Sequence, residues 1–382
     1  MPAPPAVSLT ERVTPAHARA FRDALGAWFE AHRRPMPWRE TDAAGRRDPY
    51  RVWLSEVMLQ QTRVDQAMPY YERFVAAFPT VGALADAPPD EVLKRWEGLG
   101  YYSRARNLQR AAQVVMAEHD GVFPSDPEAV RALPGVGDYT AAAILSLAFG
   151  QPFAVLDGNV VRVLARVFAV EADTRQGATR RALQHLADAL LDREAPGRFN
   201  ESLMELGATV CTPSAPACPV CPLAPVCAAH ASGSPTAFPV VSRRARAPHH
   251  VVAVGLVSDE AGRLLVQRRP EAAMLGGLWE FPGGKQEPGE TLPEAVRREL
   301  REELSIAVAV GPEAGRVRHA YSHFSITLIA FTCRLEHGEP IHHAGEPVRW
   351  ASPEELGALA MPRASRKLLE VLRAPGAQAS LF

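Results

Sequence analysis

A mainly helical first half followed by an α+β second half is the fold this sequence predicts, and three observations predict it. From about Phe21 to Leu206, Ala, Leu, Arg and Glu dominate, apolar residues recur at three-to-four spacing, and short Pro/Gly breaks separate the segments. After a cysteine-rich stretch, ASGSPTAFPVVSRRARAP shows no periodicity and is rich in Ser, Pro and Ala, as expected of a linker over residues 231–248. Beyond it, VVAVGLVSD and RLLVQRR are β-rich runs joined by turn residues Asp259 to Gly262, and one long helix follows near Glu294 to Leu304. The 382 residues therefore divide into a helical domain over 1–230 and an α+β domain over 249–382.

Composition narrows the function classes. With 47% hydrophobic and 22% charged residues, both halves can bury cores, so a disordered or fibrous chain is excluded. The 42 Lys+Arg balance 43 Asp+Glu, which excludes a globally basic, histone-like mode of nucleic-acid binding but leaves local patches open. No run approaches the ~18 apolar residues of a membrane span. The start, MPAPPAVSLTERVTP, has neither secretory nor transit character, so a soluble cytoplasmic chain is expected. In that compartment the five cysteines are reduced thiols or metal ligands.

Four of those cysteines cluster. Cys211, Cys218, Cys221 and Cys227 are separated by six, two and five residues, with prolines stiffening the loops between them. Soft thiolates gathered in one short stretch call for a metal. Zinc ribbons usually present two CxxC pairs and this stretch has one, yet zinc and an iron-sulfur cluster both remain open on spacing alone. Cys333, in a β-rich run, reads as a packed thiol.

The segment LPGVGDYTAAAILSLAFG, Leu133 to Gly150, reads as a helix end, a tight turn and a second helix. Gly135 and Gly137 let the backbone curl around Val136, Asp138 is expected to cap, and Gly150 stops the helix. Amides at such a helix start hold a phosphate without reading a base, so this helix-hairpin-helix is a candidate grip on a DNA backbone.

Two carboxyls stand out. Asp157, in VLDGNVVRVLAR, precedes a helix whose N-terminal field favours its charged form. Glu56 lies in DPYRVWLSEVMLQQTR among Trp53, Leu54, Val57 and Met58, where burial favours the protonated form. One neutral and one charged carboxyl suit cleavage of an N-glycosidic bond, which requires protonating a poor leaving group and stabilising a cationic sugar. Singly, each has a plainer reading, as a surface helix acid and as a helix cap.

The motifs PWR (37–39), SEVMLQQTR (55–63), GLGYYSRARNL (98–108), LPGVGDYTA, LDGNV and the cysteine loop occur in this order, and nearly the whole chain resembles the MutY-type adenine DNA glycosylases of the helix-hairpin-helix superfamily. The resemblance implies a 4Fe-4S cluster on Cys211, Cys218, Cys221 and Cys227. It implies Glu56 as proton donor to adenine and Asp157 as stabiliser of the cationic sugar, through space or by a covalent bond, with Tyr139 and Asn159 in support. It implies DNA and lesion contacts from Arg39, Gln61, Thr62, Leu99, Tyr101 and the 135–137 turn. The neighbourhood of Lys94, Arg95, Arg104, Arg106 and Arg110 is expected to face phosphates. Tyr139 separates close relatives: endonuclease III-like glycosylase/lyases place a lysine there for a Schiff base, and a phenol is no amine, so a monofunctional enzyme is expected. The partner implied is duplex DNA carrying adenine opposite 8-oxoguanine or guanine, bound by a monomer at the nucleoid, with the target base flipped from the stack.

In the second half, GKQEPGETLPEAVRRELREELSI (284–306) resembles the Nudix box of MutT-like hydrolases. Glu299, Glu302 and Glu303 fall on one helical face, where carboxylates can hold Mg²⁺ on a diphosphate. Ser305 departs from the box's usual glycine, and Ser365 stands where those hydrolases carry a base-contacting asparagine. Tyr321-Ser322-His323 matches the Phe-Ser-His loop with which such C-terminal domains read 8-oxoguanine. The half is therefore expected to be a lesion reader, with a Nudix pyrophosphohydrolase fused to a DNA-binding body as the alternative. A lesion-binding protein with an inert pocket is disfavoured by the two carboxyls and Asn159.

Overall fold

A computed structural model describes residues 9–242 and 247–373. Residues 1–8, the linker residues 243–246 and the end of the expected second domain, 374–382, lie outside the described residues. The helices of the first half are α1 (Pro15–His32), α2 (Pro49–Leu59), α3 (Val64–Ala77), α4 (Val81–Asp86), α5 (Pro89–Trp96), α6 (Ser103–Glu118), α7 (Pro127–Ala132), α8 (Asp138–Phe149), α9 (Gly158–Val167), α10 (Gly177–Leu190), α11 (Pro196–Thr209) and α12 (Ala228–Ala231). Pro at the first helical position and an oxygen-bearing cap recur because the first-turn amides lack partners: Thr14 accepts from the His17 amide, Asp48 from Tyr50, and Asp126 from Glu128 and Ala129. No helix among the described residues is long and apolar enough to cross a membrane.

The chain folds into two compact units, one of residues 1–64, 80–82 and 111–244, the other of residues 65–79, 83–110 and 245–382. In the first, α1, α8, α9, α10 and α11 pack around Phe21, Leu25, Ala143, Val163, Leu164, Leu186, Leu203 and Leu206, all essentially dry. The apolar positions of α9 and α11 meet at a very close approach: a β-carbon on Gly207 would lie 2.6 Å from Asn159 Cβ and 3.1 Å from Asn159 Cα. Residues 235–242 belong to this body, since Arg166 donates to Phe238 O and Thr174 to Val240 O. The stretch read as linker thus begins as packed chain.

In the second unit, a seven-stranded mixed sheet holds β1 (His249–Ser258), β2 (Leu264–Arg268), β3 (Trp279–Glu280), β4 (Gly283–Lys285), β5 (Ala307–Ala320), β6 (Ser325–His337) and β7 (Val348–Ala351). The path runs β3-β2-β1-β6-β5, with β4 against β1 and β7 against β2; only the β1–β6 pair is parallel. Helix α13 (Leu292–Leu304) covers one face, while α14 (Pro353–Ala358) and α15 (Arg363–Leu372) cover the other. Alternation along β1 explains the layers, because Ala253 and Val257 face Val296 and Leu300 whereas Val254 and Leu256 join Leu368 and Leu369. A full capping box, Thr291 with Glu294, starts α13, and Ser305 ends it in the left-handed region at φ 57. That is the position usually taken by glycine. The helices α3, α5 and the first part of α6 pack in this unit, through Phe74, Phe78 and Trp96 among others.

Because the atoms that would meet a new methyl on Gly207 are Asn159 Cβ and the backbone of α9 to which it is bonded, they cannot move aside cheaply. Gly207→Ala is expected to lower stability by about 1–3 kcal/mol, read as a fall in chemical-denaturation midpoint; an unchanged midpoint would show that the two helices are not held at this spacing.

Candidate active site

Glu56 sits on α2 between Trp53, Leu54, Val57 and Met58, all buried, and is itself 5% exposed. Helix α2 packs on α8, and there Tyr139, one residue into the helix, donates its hydroxyl to Glu56 Oε2 at 2.6 Å. Loss of water raises the Glu56 pKa to about 7; the Tyr139 bond opposes the shift, and the negative fields of Glu201 and Asp157 add to it. Tyr139 is desolvated too, and with Glu56 and Asp157 beside it the phenol is held well above its ordinary range.

Asp157 is the N-cap of α9: Oδ1 accepts from the Val160 amide at 2.6 Å and Oδ2 from Asn159 Nδ2 at 2.9 Å. The helix start was expected to favour the charged form. Its pKa is instead raised, because burial outweighs the Val160 and Asn159 donors. Asn159 is fixed in turn by Arg162, which donates to its Oδ1 at 2.8 Å and to the carbonyls of Gly207 and Cys211, each at 2.7 Å. The sequence reading passed over Arg162, although its place three residues after Asn159 on one helical face was a legible signal.

The PWR arginine, Arg39, lies in a buried ion-pair network rather than on an open surface. It bonds Glu201 at 2.9 Å, Glu205 at 3.0 Å and the Arg34 carbonyl at 2.7 Å, while Arg34 and Arg47 take the remaining carboxylate oxygens. Glu201 and Arg39 both act on Glu56 electrostatically, with opposite signs. Neither acid of α11 entered the sequence reading.

In the hairpin, only Gly135 needs the left-handed region, at φ +76; Gly137 is extended and Val136 is buried. Asp138 is not the cap expected. Gly137 takes that position without a side chain, Asp138 becomes the first helical residue, and its carboxylate points into solvent, 3.9 Å from Arg131. The backbone at the start of α8 is therefore unobstructed by a side-chain cap. Gln61 follows α2 exposed at φ 58, with Thr62 bonded back to Leu59.

All four clustered cysteines line one pocket, with Val163, Arg166 and Leu206. Arg166, 2% exposed, donates to Cys211 Sγ at 3.3 Å and to the Thr212 and Pro213 carbonyls, so it ties the loop to α9. Four soft donors at the rim of one pocket, one already facing a guanidinium, fit a metal cluster. Among the described residues, no three His, Cys, Asp or Glu side chains are arranged as ligands to a single ion. This bears also on Glu299, Glu302 and Glu303. Arg298 takes Glu299 at 3.0 Å and Glu302 at 3.1 Å, and Gln267 donates to Glu303 at 2.6 Å.

In the second unit, Tyr101, at φ 49, donates its hydroxyl to Ser322. Tyr321 stacks on Phe324 at 4.7 Å, and Ser322 and His323 are exposed. Leu99, expected to contact DNA, is 5% exposed. The cations expected to face phosphates are engaged: Lys94 with Glu97, Arg95 with Glu91, Arg104 with the Leu99 and Gly100 carbonyls, Arg106 with the Gly276 and Glu271 carbonyls, and Arg110 with Glu271. Each of these cations therefore has an acceptor within the fold.

Residues 54–188 match the HhH-GPD superfamily of base-excision DNA repair proteins, and residues 253–371 match the NUDIX domain. The chain is 37% identical to the adenine DNA glycosylase of Homo sapiens, over 93% of its own length and 74% of the relative's. It is 36% identical to that of Rattus norvegicus, over 93% and 78%. A thermostable thymine-DNA glycosylase superposes with a TM-score of 0.51 at 30% identity, covering 56% of this chain and 97% of that one. Helical body, paired carboxyls and Nudix-like half agree with these likenesses, and the chain belongs to the adenine DNA glycosylases, the DNA N-glycosylases of base-excision repair.

Proposed function

We propose that this chain acts as a monofunctional glycosylase on adenine mispaired with 8-oxoguanine, and with guanine, in duplex DNA. The observation that carries the reading is a desolvated acid, Glu56, whose pKa stands at about 7 while it is bonded to Tyr139 and lies in the field of Asp157. An adenine flipped into this pocket accepts the Glu56 proton at N7 and leaves with the electrons of the C1′–N9 bond. The sugar left behind is cationic, and a carboxylate stripped of water is its strongest stabiliser, which is the part given to Asp157. Asn159 and Arg162 hold that carboxylate still. Water then adds to C1′ and returns a proton to Glu56. Tyr139 orients the acid and, as a phenol, offers no amine for strand cleavage.

The finer assignments follow the same reading. The backbone of Gly135, Val136 and Gly137 grips a phosphate, Gln61, Thr62, Leu99 and Tyr101 engage the duplex, and Arg39 tunes the pocket beside Glu56. Tyr321, Ser322 and His323 read the base opposite adenine, so residues 1–230 perform the chemistry, 231–248 link, and 249–382 read. Magnesium at Glu299, Glu302 and Glu303 would have to displace Arg298, which favours a reader over a pyrophosphohydrolase. Cys211, Cys218, Cys221 and Cys227 hold a 4Fe-4S cluster, which staples the loop that Arg162 and Arg166 join to α9. The protein works as a monomer on nucleoid DNA.

Glu56→Gln is expected to slow single-turnover adenine release from an A:8-oxoG duplex by at least ~100-fold, whereas Glu299→Gln leaves release unchanged; the reverse pattern would move the chemistry to the Nudix half. Since the protonated acid is the competent form and its pKa is about 7, the rate is full on the acid side and falls as pH rises through that value. Between roughly pH 6 and roughly pH 8 the expected loss is about tenfold, and a flat profile would remove Glu56 as donor. Purified protein should carry about four iron atoms and as many sulfides per chain, lost in Cys218→Ser; stoichiometric zinc without iron would overturn the cluster.

A further inference from the structure

Glu97, the residue just before the Gly98–Tyr101 turn, has no part in the chemistry, yet it is the hub of the second unit's polar core. Its side chain is 15% exposed. Oε2 accepts from Lys94 at 2.6 Å, and Oε1 accepts from Arg366 at 2.8 Å and from the Met361 amide at 3.3 Å. Both cations also close the carbonyls at the end of α14: Lys94 bonds Gly357 O at 2.7 Å and Leu359 O at 3.2 Å, and Arg366 bonds Leu356 O at 3.0 Å and Leu359 O at 2.6 Å. Two cations thus serve as counter-charge both to one acid and to the carbonyls at the partially negative end of a helix. Without Glu97 they would keep their positive charges in a half-buried site with no anion among these contacts.

What this clamp holds is the turn that follows. Gly98 and Gly100 lie at φ +100 and +79, the Trp96 indole donates to Gly100 O at 3.0 Å, and Tyr102 Oη accepts from the Gly98 amide at 3.1 Å. A turn so tied within itself moves with Glu97 as a piece. On its far side, Arg106 donates to Gly276 O and Glu271 O, and Arg110 pairs with Glu271. Between the two anchors Tyr101 meets Ser322.

We propose that Glu97 is a positioning residue for mispair discrimination: its bonds to Arg366 and the Met361 amide hold the Leu99–Tyr101 turn in register with Ser322, so that the base opposite adenine is read by both together. This rests on the assignment of Tyr101 and Ser322 to that base.

The test compares Glu97→Ala, Glu97→Gln and Ser322→Ala with the parent full-length protein, in single-turnover adenine release from A:8-oxoG and A:G duplexes at saturating enzyme. Glu97→Ala is expected to slow A:8-oxoG about tenfold while A:G stays within about twofold. Glu97→Gln, which keeps an acceptor for Arg366, falls between, and carries the test if the alanine variant does not fold. Combining Glu97→Ala with Ser322→Ala should cost less than the product of the single losses, the mark of two residues serving one contact. Equal slowing on both duplexes would reduce Glu97 to a stabilising contact and overturn the proposal. So would an unchanged preference in the Glu97 variants beside a narrowed one in Ser322→Ala, with the reader assignment intact. If Ser322→Ala also leaves the preference unchanged, the reader assignment itself falls.

Discussion

The structure depends on keeping one carboxyl away from both water and any cation close enough to ionise it fully. Burial of Glu56 works against its charge, and only the Tyr139 hydroxyl and the more distant field of Arg39 favour it. The Arg39 guanidinium is itself paired with Glu201 and Glu205. With neutral residues on α11 the Glu201 field that raises the Glu56 pKa would be gone and that of Arg39, which lowers it, would remain, so the acid would ionise more readily. The acids of α11 therefore matter to the site although they carry no proton to the base.

Asp157 meets the opposite requirement with the same means. Its two oxygens take an amide and an amide side chain, which fixes their direction without supplying a full positive charge to quench them. The nearest cation, Arg162, is one residue removed, on Asn159. In the proposed reaction, a carboxylate held by dipoles alone would meet its full counter-charge only in the cationic sugar of the transition state. Arg162 also bonds the Cys211 carbonyl, so the cysteine loop and the Asp157–Asn159 pair share one arginine, and Arg166 repeats the tie one turn later.

Much of this was legible in the residues. Period and composition place the helical and α+β halves, Asp48-Pro49 marks the start of α2, and the apolar neighbours of Glu56 foretell its burial. Asp157 reads as an N-cap because a helix pattern starts immediately after it. What escaped were quantities that need a third dimension. Whether burial or the helix field wins at Asp157 depends on how much water remains, which spacing does not encode. Asp138 looked like a cap because cap residues are acidic or hydroxylic, but the turn from Gly135 delivers Gly137 to the capping position instead. Glu201 and Glu205 lie more than 160 residues from Arg39, beyond any local pattern.

The arginines and lysine around the GLGYYS motif show most plainly why charge counting fails. Read along the chain, Lys94, Arg95, Arg104, Arg106 and Arg110 stand against one acid, Glu97, and give the neighbourhood a positive bias suited to phosphates. In the fold, Lys94 and Arg106 are spent on carbonyls at helix and loop ends, Arg104 lies over the Trp96 and Tyr101 rings, and Arg110 meets Glu271. Positive charge here shapes protein before it can attract DNA. Uncharged donors are also present: in the proposed function the helix-hairpin-helix would offer backbone amides to a phosphate at the start of α8, where no side-chain cap intervenes. If the proposed function holds, binding through amides would carry less salt dependence than binding through lysines and would read no sequence, which would suit a search through many ordinary base pairs.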